Sequence, residues 1–444
     1  MGFQQGLSGL NAASKSLDVI GNNIANASTV GFKQGQTQFA DVYANSLNGS
    51  SGGTVGIGTK VSGVVQQFTQ GNISTTNNPL DIAINGGGFF RMSTNGAVTY
   101  SRNGQFQLDK LGNIVNAQGA QLTGYVANSA GVLSTGAAAP ININTSDIAP
   151  AQSTLINAVM NLDSRKLVPG TQLPVTIPPV ITPIAFSITD PTTYNSSTSI
   201  AVFDSLGNSH VVQSFFVKRD NTAPAPTPPV TIEWDVFATV DGVLIAGAGA
   251  TANSVTRLGF DNLGRLSAVT PQFSATDPRA TTLTVPVSTG AITPINTTLD
   301  IKYDFTGTTQ FGSDFSVSKN TQDGYASGKL AKFNTAKDGT IVGSYTNGKT
   351  AVLAQVVLAN FTNPNGLQST GDNQWIETAA SGNALVGPPN SGALGTLTSS
   401  ATEDSNTDLT GELVNMITAQ RVYQANAQTI KTQDQVLQTL VNLR

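Results

Sequence analysis

Both ends of the chain carry the apolar spacing of long helices, and this feature constrains the fold more than any other. In residues 3–27 the apolar side chains recur in steps of three or four, which predicts a helix of about seven turns with one apolar stripe. We expect five members of this stripe to pack against a partner: Leu7, Leu10, Leu17, Ile20 and Ile24. On the stripe alone, an ordinary helix that faces a core is the simpler interpretation.

The carboxyl end gives a reason to prefer helix pairing. Asp408 or Thr407 can cap a helix that runs to Arg444, and most positions of a strict heptad register in this segment are apolar. Gln420 and Asp434 interrupt the register and could fix it. The expected seam residues are Leu409, Leu413, Met416, Tyr423, Ile430 and Leu437. Because so long and narrow an apolar face needs a partner helix, we predict that the two ends pair with each other.

Between the two ends the pattern changes to short strands separated by Gly, Asn and Asp turns. Strand-like runs occupy residues 56–68, 80–90, 97–108, 199–217, 230–240, 341–345 and 351–361. One turn recurs three times as Asp-x-Leu-Gly-polar, at 109–113, 204–208 and 261–265. Asp accepts local backbone hydrogen bonds and Gly supplies positive φ, so each of these segments predicts a hairpin tip. Asn347-Gly348 predicts a fourth tip.

The order of these patterns predicts nested domains. Proline clusters at 167–191 and 222–229 indicate loops or a domain border in the middle of the chain. The predicted parts are a helical domain of 1–27 and 405–444, a connecting segment of 28–74, an inner β-domain of 75–147 and 322–404, and an inserted outer β-domain of 148–321. The predicted fold class is therefore α+β and multidomain, with coiled-coil-like paired ends and mostly antiparallel β-domains.

Composition argues against several kinds of partner. Charged residues make up 11% of the chain, against about 25% in typical globular proteins, and an uncharged polar surface suits packing against copies of the same chain. Since no basic run occurs, nucleic acid is not an expected partner. A membrane is not expected either, because no apolar stretch approaches the roughly 18–20 residues that span a bilayer.

The sequence offers no recognisable active site, so we predict no enzyme, no cofactor and no metal. Cysteine is absent, and the one histidine, His210, sits in a strand-like run where a packing or surface role is the better interpretation. The spacing of Gly53 and Gly58 resembles a phosphate loop, but Thr59 stands where that loop needs Lys. A cleaved signal peptide is not expected, because no basic start followed by an apolar core is present.

Residues 12–33 resemble the signature of the flagellar rod and hook family, whose heart is Asn-Asn-Ile-Ala-Asn followed by Gly-Phe-Lys. The signature residues in this chain are Asn22, Asn23, Ile24, Asn26, Gly31 and Phe32. Residues 71–90, 203–207 and 405–423 resemble further segments of the hook members of that family. One departure lies at Glu403-Asp404, since the family's Glu is expected directly beside the Ser-Asn pair that follows.

The resemblance implies a structural subunit of the bacterial flagellar hook, an extracellular tube that bends while it transmits torque from rod to filament. It implies a helical homopolymer that meets a distal rod protein, a hook cap protein and a hook-filament junction protein, and that leaves the cell through the flagellar type III export apparatus. A distal rod protein of the same family is the nearest alternative, although residues 148–321 favour a hook subunit. Alternatives of other classes are a surface β-rich binding protein and a secreted hydrolase.

Overall fold

The chain folds into two compact units, of which the second is inserted into the first. The computed structural model describes residues 2–42, 56–128, 131–170, 184–219, 232–245, 247, 249, 251–272, 277–286 and 298–442. Unit 1 comprises Met1–Ser146 with Leu330–Arg444, and unit 2 comprises Asp147–Lys329. Gly53 and most residues of the two proline clusters lie outside the described residues.

Two helices form the ends of unit 1, as the apolar spacing predicts. Helix α1 spans Gly2–Ala25 and helix α2 spans Leu409–Asn442. The carboxylate of Asp408 accepts a hydrogen bond from the Thr410 backbone N–H at 3.0 Å, so Asp408 caps α2. An acidic residue in the first turn of a helix is favourable, and Glu412 holds that place in α2.

A β-ribbon follows α1 directly and leads into the sheets of unit 1. The first ten strands are β1 Gly35–Val42, β2 Gly58–Gln66, β3 Ile73–Thr75, β4 Ile82–Asn85, β5 Phe89–Thr94, β6 Ala97–Ser101, β7 Gln107–Leu108, β8 Ile114–Val115, β9 Gln121–Val126 and β10 Ala139–Pro140. Strands β1 and β2 pair antiparallel to make the ribbon, with an irregularity between Gln38 and Phe39. Strand β1 is not among the predicted runs, because its sequence is mostly polar and small.

Unit 2 contains the next ten strands in two sheets. They are β11 Leu155–Asn161, β12 Ser196–Phe203, β13 Ser209–Lys218, β14 Ile232–Val240, β15 Val243–Leu244, β16 Thr256–Phe260, β17 Leu266–Thr270, β18 Ala280–Pro286, β19 Thr298–Asp304 and β20 Ser316–Gln322. One sheet has the order β12-β13-β14-β16-β17 and the other β18-β19-β11-β20, in which only the β11–β19 pair is parallel. Phe216, Trp234 and Tyr303 are fully buried in the shared core.

The chain then completes the sheets of unit 1. The last nine strands are β21 Leu330–Thr335, β22 Thr340–Tyr345, β23 Thr350–Val356, β24 Leu358–Asn360, β25 Gln368–Gly371, β26 Gln374–Ile376, β27 Leu385–Gly387, β28 Thr396–Ser399 and β29 Ala401–Glu403. The main sheet has the order β21-β22-β23-β9-β5-β6-β26-β25, so three strands from before unit 2 lie between strands from after it. Strand β29 pairs with β3 and brings the start of α2 back beside the end of α1.

These elements confirm the α+β prediction with paired ends and mostly antiparallel sheets. The three Asp-x-Leu-Gly segments are hairpin tips, as predicted: each Asp carboxylate accepts two backbone N–H bonds at 2.8–2.9 Å, and each Gly has positive φ. Gly348 also has positive φ, between β22 and β23. In the described part of the chain, no helix has the length and hydropathy to cross a membrane.

Candidate assembly interface at the terminal helices

The two terminal helices run antiparallel and approach each other closely at small residues. A Cβ atom added to Gly6 would lie 3.0 Å from Cγ1 of Ile430, and one added to Gly9 would lie 2.7 Å from Oδ1 of Asn426. Ala12 and Ala13 continue this face of α1 and are buried. Small residues of α1 therefore meet Ile430 and the polar Asn426 of α2. A polar residue in such a contact helps to fix the register of the two helices.

A buried polar junction closes the other end of the helix pair. The Asn23 Nδ2 donates to Glu412 Oε2 at 3.1 Å and to the Gly35 carbonyl at 2.8 Å, while the Gly35 N–H donates to Asn23 Oδ1 at 2.9 Å. Gln34 donates its side-chain amide to Glu412 Oε1 at 2.8 Å. The signature residue Asn23 thus joins α1, the start of β1 and the first turn of α2.

A second buried cluster lies where the helix pair meets the sheets of unit 1, and we call it the neck. Lys33 Nζ lies 2.6 Å from Glu403 Oε1, and Arg102 Nη1 lies 3.1 Å from Glu403 Oε2. All three side chains are buried. One carboxylate therefore pairs with two cations that solvent cannot reach, and removing it would leave both of them without a counter-charge.

Burial and pairing act in opposite directions on the cations of the neck. Burial lowers the pKa of Lys33, and the carboxylate of Glu403 opposes that shift. Burial likewise lowers the pKa of Arg102, again against the effect of Glu403. Both cations are further satisfied by backbone: Lys33 Nζ donates to the Thr69 carbonyl at 2.8 Å and Arg102 Nη2 to the Gly86 carbonyl at 2.9 Å.

The backbone around Glu403 explains the glycine of the signature. The Gly31 N–H donates to the Glu403 carbonyl at 2.8 Å, and Gly31 has a φ of +72°. A Cβ atom at this position would lie 2.6 Å from the backbone nitrogen of Asn103, so only glycine fits. The Gly71 N–H donates to Glu403 Oε1 at 2.9 Å. The neck therefore joins the segment that follows α1 to the end of β29, which precedes α2.

The structure places the predicted seam residues at different depths in the single chain. Ile20 is buried. The half-buried members are Leu10, Leu17, Ile24, Met416 and Ile430. The exposed members are Leu7, Leu409, Leu413, Tyr423 and Leu437. The side of α2 that faces α1 thus holds only part of the predicted row: Ile430 lies against Gly6, whereas the exposed members are open to solvent.

The signature residues converge on the junction and the neck. Asn23 and Gly31 are buried, whereas Ile24, Asn26 and Phe32 are half-buried and Asn22 is exposed. The Asn26 side chain donates to the Asn22 carbonyl at 3.0 Å and accepts from the Thr29 hydroxyl at 3.1 Å, which closes the end of α1.

The ionic part of the neck was not predicted from the sequence. Arg102 and Lys33 lie 301 and 370 residues from Glu403, and no local pattern links residues so far apart. The rarity of charged residues could have drawn attention to two of the three: in a chain with 11% charged residues, Lys33 ends the signature and Glu403 stands just before a helix.

His210 is buried, and its Nδ1 lies 2.8 Å from Asp241 Oδ2. Among the described residues, no group of three or more His, Asp and Glu side chains could hold a metal ion.

Comparisons with known families cover most of the chain. Residues 3–33 match the family described as "Flagella basal body rod protein", and residues 398–443 match "Flagellar basal body rod FlgEFG protein C-terminal". Residues 83–188 match "Flagellar hook protein FlgE/F/G D1 domain", and residues 161–325 match "Flagellar basal body protein FlaE D2 domain".

Curated relatives match over their full length. The flagellar hook protein FlgE of Salmonella typhimurium is 44% identical over 450 residues, and that of Escherichia coli is 42% identical over 446 residues, with 100% of each chain covered in both cases. FlgE of Borreliella burgdorferi is 31% identical over 99% of this chain and 98% of its own. The crystal structure of Helicobacter pylori flagellar hook protein FlgE2 has a TM-score of 0.52 at 14% identity, over 73% of this chain and 98% of that one, which shows a shared fold.

Proposed function

This chain belongs to the flagellar hook protein family and is a structural subunit of the hook, and we propose that its paired terminal helices form the assembly seam of the hook polymer. The family implies self-polymerisation at the flagellar hook. The seam consists of the residues predicted from the two apolar stripes, half of which the single chain leaves in contact with solvent. Neighbouring copies would cover them.

The observation that carries this proposal is the exposed apolar row of α2. Among the described side chains of α2, only that of Glu412 is buried, although the helix is 34 residues long. Leu413, Leu437 and Val441 are exposed, the last at 74%. A soluble monomer gains nothing from so long an apolar row, and contiguous exposed apolar surface of this kind marks an interaction site. Copies of the same helix pair supply a matching surface.

The rest of the predicted function follows as part of the same proposal. The tube bends because the β-domains outside the helical seam exchange weak, wet contacts with their neighbours, while the seam keeps the tube continuous. Residues 28–74 connect the helical domain of 1–27 and 405–444 to the inner β-domain of 75–147 and 322–404, and residues 148–321 form the outer β-domain. The distal rod protein, the hook cap protein and the hook-filament junction protein contact the polymer at its ends.

Export belongs to the proposal as well. We infer that the chain passes unfolded through the flagellar type III export apparatus and assembles outside the cell. A chain without cysteine and with few charges suits that route, since no disulfide has to form and little charge has to pass a narrow channel. The role is structural, and no catalytic step is assigned to the chain.

The seam is tested by placing a charge in it. Leu17→Asp and Ile430→Asp should each give a folded protein that does not polymerise, because a carboxylate buried between helices without a partner is strongly unfavourable. Asn95→Asp is the control, since Asn95 lies in an exposed turn of unit 1 with positive φ, which Asp tolerates. Electron microscopy of the purified proteins gives the readout. Hooks of normal length from both seam variants would rule out the proposed seam.

Deleting both helices separates the structural role from a binding role. A chain reduced to residues 28–404 should remain monomeric at every concentration, whereas a surface binding protein would keep its ligand affinity without its ends. Analytical ultracentrifugation over a concentration series measures this. Filaments formed by the shortened chain would contradict the proposed function.

A further inference from the structure

The three Asp-x-Leu-Gly hairpins share one feature that turn formation does not explain, namely an outward leucine. Leu111 is 78% exposed, Leu206 is 53% exposed and Leu263 is 63% exposed. In each turn the Asp carboxylate and the Gly backbone do the structural work, and the leucine contributes only its N–H. A polar residue would serve the turn equally well. One exposed leucine is ordinary on a protein surface, but the same exposed leucine at the same place in three turns is not.

Each of these tips is held rigid by a second segment of its own unit. A Cβ atom added to Gly112 would lie 2.5 Å from the Ile143 carbonyl oxygen, and one added to Gly264 would lie 2.5 Å from that of Gln310. One added to Gly207 would lie 2.8 Å from Pro150 Cβ. The glycine side of every tip therefore faces protein while the leucine side faces solvent. Because the turn is already ordered, a partner that contacts the leucine would lose little conformational entropy.

The tip at residues 261–265 carries the largest apolar surface. The ring of Phe311 lies beside it, since a Cβ atom on Gly264 would be 3.1 Å from Phe311 Cδ1, and Phe311 is 49% exposed. The Phe311 backbone N–H donates to Asn161 Oδ1 at 2.9 Å, and the Gln310 N–H donates to the Gly264 carbonyl at 2.8 Å. Leu263 and Phe311 are thus two exposed apolar side chains on adjacent segments of one tip, and we call them the tip patch.

We propose that the three tips, and foremost the tip patch of unit 2, are docking points for a neighbouring copy of this chain. The occupant follows from the polymer: in a helical homopolymer every copy presents the same surface to the next, so one small patch is used once per subunit along the whole tube. Charged side chains border the patch, since Asp261 and Arg265 stand in the motif itself and Arg165 lies 4.0 Å from a Cβ position on Gly312. An apolar centre with a polar rim is the ordinary composition of such a contact. The inference assumes that the chain polymerises but does not depend on which helix residues form the seam.

The first test measures the critical concentration for polymerisation. Leu263→Ser combined with Phe311→Ser should raise it, by roughly tenfold for each apolar side chain that a neighbour buries. Val243→Ser is the matched control, because Val243 is 66% exposed in the same unit but lies outside the motif. Thermal unfolding of the monomers should be unchanged in all variants. A critical concentration equal to that of the unaltered chain, or an equal shift in the control, would overturn the proposal.

The second test uses the absence of cysteine from the chain. The thiol of Leu263→Cys is the only one in the protein, so its alkylation rate reports directly on its exposure. We expect fast alkylation in the monomer and at least tenfold slower alkylation in the polymer, whereas Val243→Cys should react at similar rates in both. Equal rates for Leu263→Cys in monomer and polymer would refute the docking role. Loss of polymer from Leu17→Asp, together with equal alkylation rates for Leu263→Cys in its own monomer and polymer, would retain the seam and discard the tips.

Discussion

The terminal helices and the β-structure bury their apolar residues to opposite extents. Strand β14 has seven buried residues among its nine, whereas the described side chains of α2 include one, and that one is an acid. Phe216 and Trp234 find all their apolar neighbours inside unit 2, but Leu413 and Leu437 of α2 find few within unit 1. One chain thus carries two kinds of core: a complete one in the sheets, and a partial one at the ends, which further copies would complete at the proposed seam.

The comparison predicts its largest effect in the hydrogen exchange of the monomer. Amides of α1 and α2 should open locally at little cost, while amides of β14 and β16 should exchange only on global unfolding, a gap of at least about 5 kcal/mol or more than a thousandfold in rate. Polymerisation should close most of that gap, and circular dichroism should gain helical signal at the same time. If the helix amides were protected as strongly in the monomer as those of β14, the terminal helices would not be the less stable part of the monomer.

The neck should give the next largest effect, because it joins the two kinds of core. Glu403→Gln leaves Lys33 and Arg102 buried without their counter-charge, so we expect a loss of about 3–5 kcal/mol in the free energy of unfolding of unit 1. Asp404→Asn is the control, since Asp404 is only half-buried and its carboxylate accepts one bond from Ser74. Urea unfolding of the monomers measures both. If Glu403→Gln lowered the free energy of unfolding no more than Asp404→Asn does, the neck would not contribute to the stability of unit 1 as proposed.

A matched pair of truncations compares the cores directly. Leu258 is fully buried in unit 2, so Leu258→Ala should cost about 2–5 kcal/mol in monomer stability through lost burial and a cavity. Leu413→Ala removes the same atoms from an exposed position of α2 and should change monomer stability by less than about 0.5 kcal/mol. In polymerisation we expect the reverse ranking: Leu413→Ala should raise the critical concentration more than Leu258→Ala does. Equal costs of the two changes in the monomer would contradict the division into complete and partial cores.

The smallest effect should come from the helix cap. Asp408→Ala removes the acceptor for the Thr410 N–H and should cost about 0.5–2 kcal/mol of helix stability. Gln424→Ala, at an exposed position in the middle of the same helix and outside the seam, is the control and should cost less. Because the cap matters only when the helix is formed, we expect the difference between the two variants in polymer melting and hardly at all in monomer melting. The opposite result would mean that α2 is already stable in the monomer.

Features that depend on residues close together in the chain were predicted from the sequence. The apolar spacing in residues 3–27 and the Asp408 cap predicted both helices, and the Asp and Gly of the three tips predicted their turns, because each rule depends on residues close together in the chain. Strand β1 was missed because it has almost no β-branched residues and is held by its partner β2. The contact between the helices includes Asn426, which lies against Gly9 and which the apolar spacing did not indicate, whereas Gly6 lies against Ile430.

The ion pairs of the neck could not be predicted from patterns of neighbouring residues. Nothing around Arg102 indicates that it will be buried, and its carboxylate partner is 301 residues away. Such a pairing can be recognised only once the sheets place β29 next to β3. The tip leucines are an intermediate case: the sequence showed the repeated motif, but only the structure showed that all three side chains face outward.

The distance along the chain between the partners in the neck also sets the timing of folding. Unit 2 contains all of its own strands, so it can fold before the chain is complete, whereas Lys33 must wait for a residue 370 positions later. Closing so long a loop is slow, although each doubling of its length adds only about 0.6 kcal/mol of entropy. In a chain that emerges amino end first, the two ends stay apart until the last forty or so residues appear. The ion triad can therefore form only after residue 403 has joined the rest, when the strands of both units are present and only α2 is still to come.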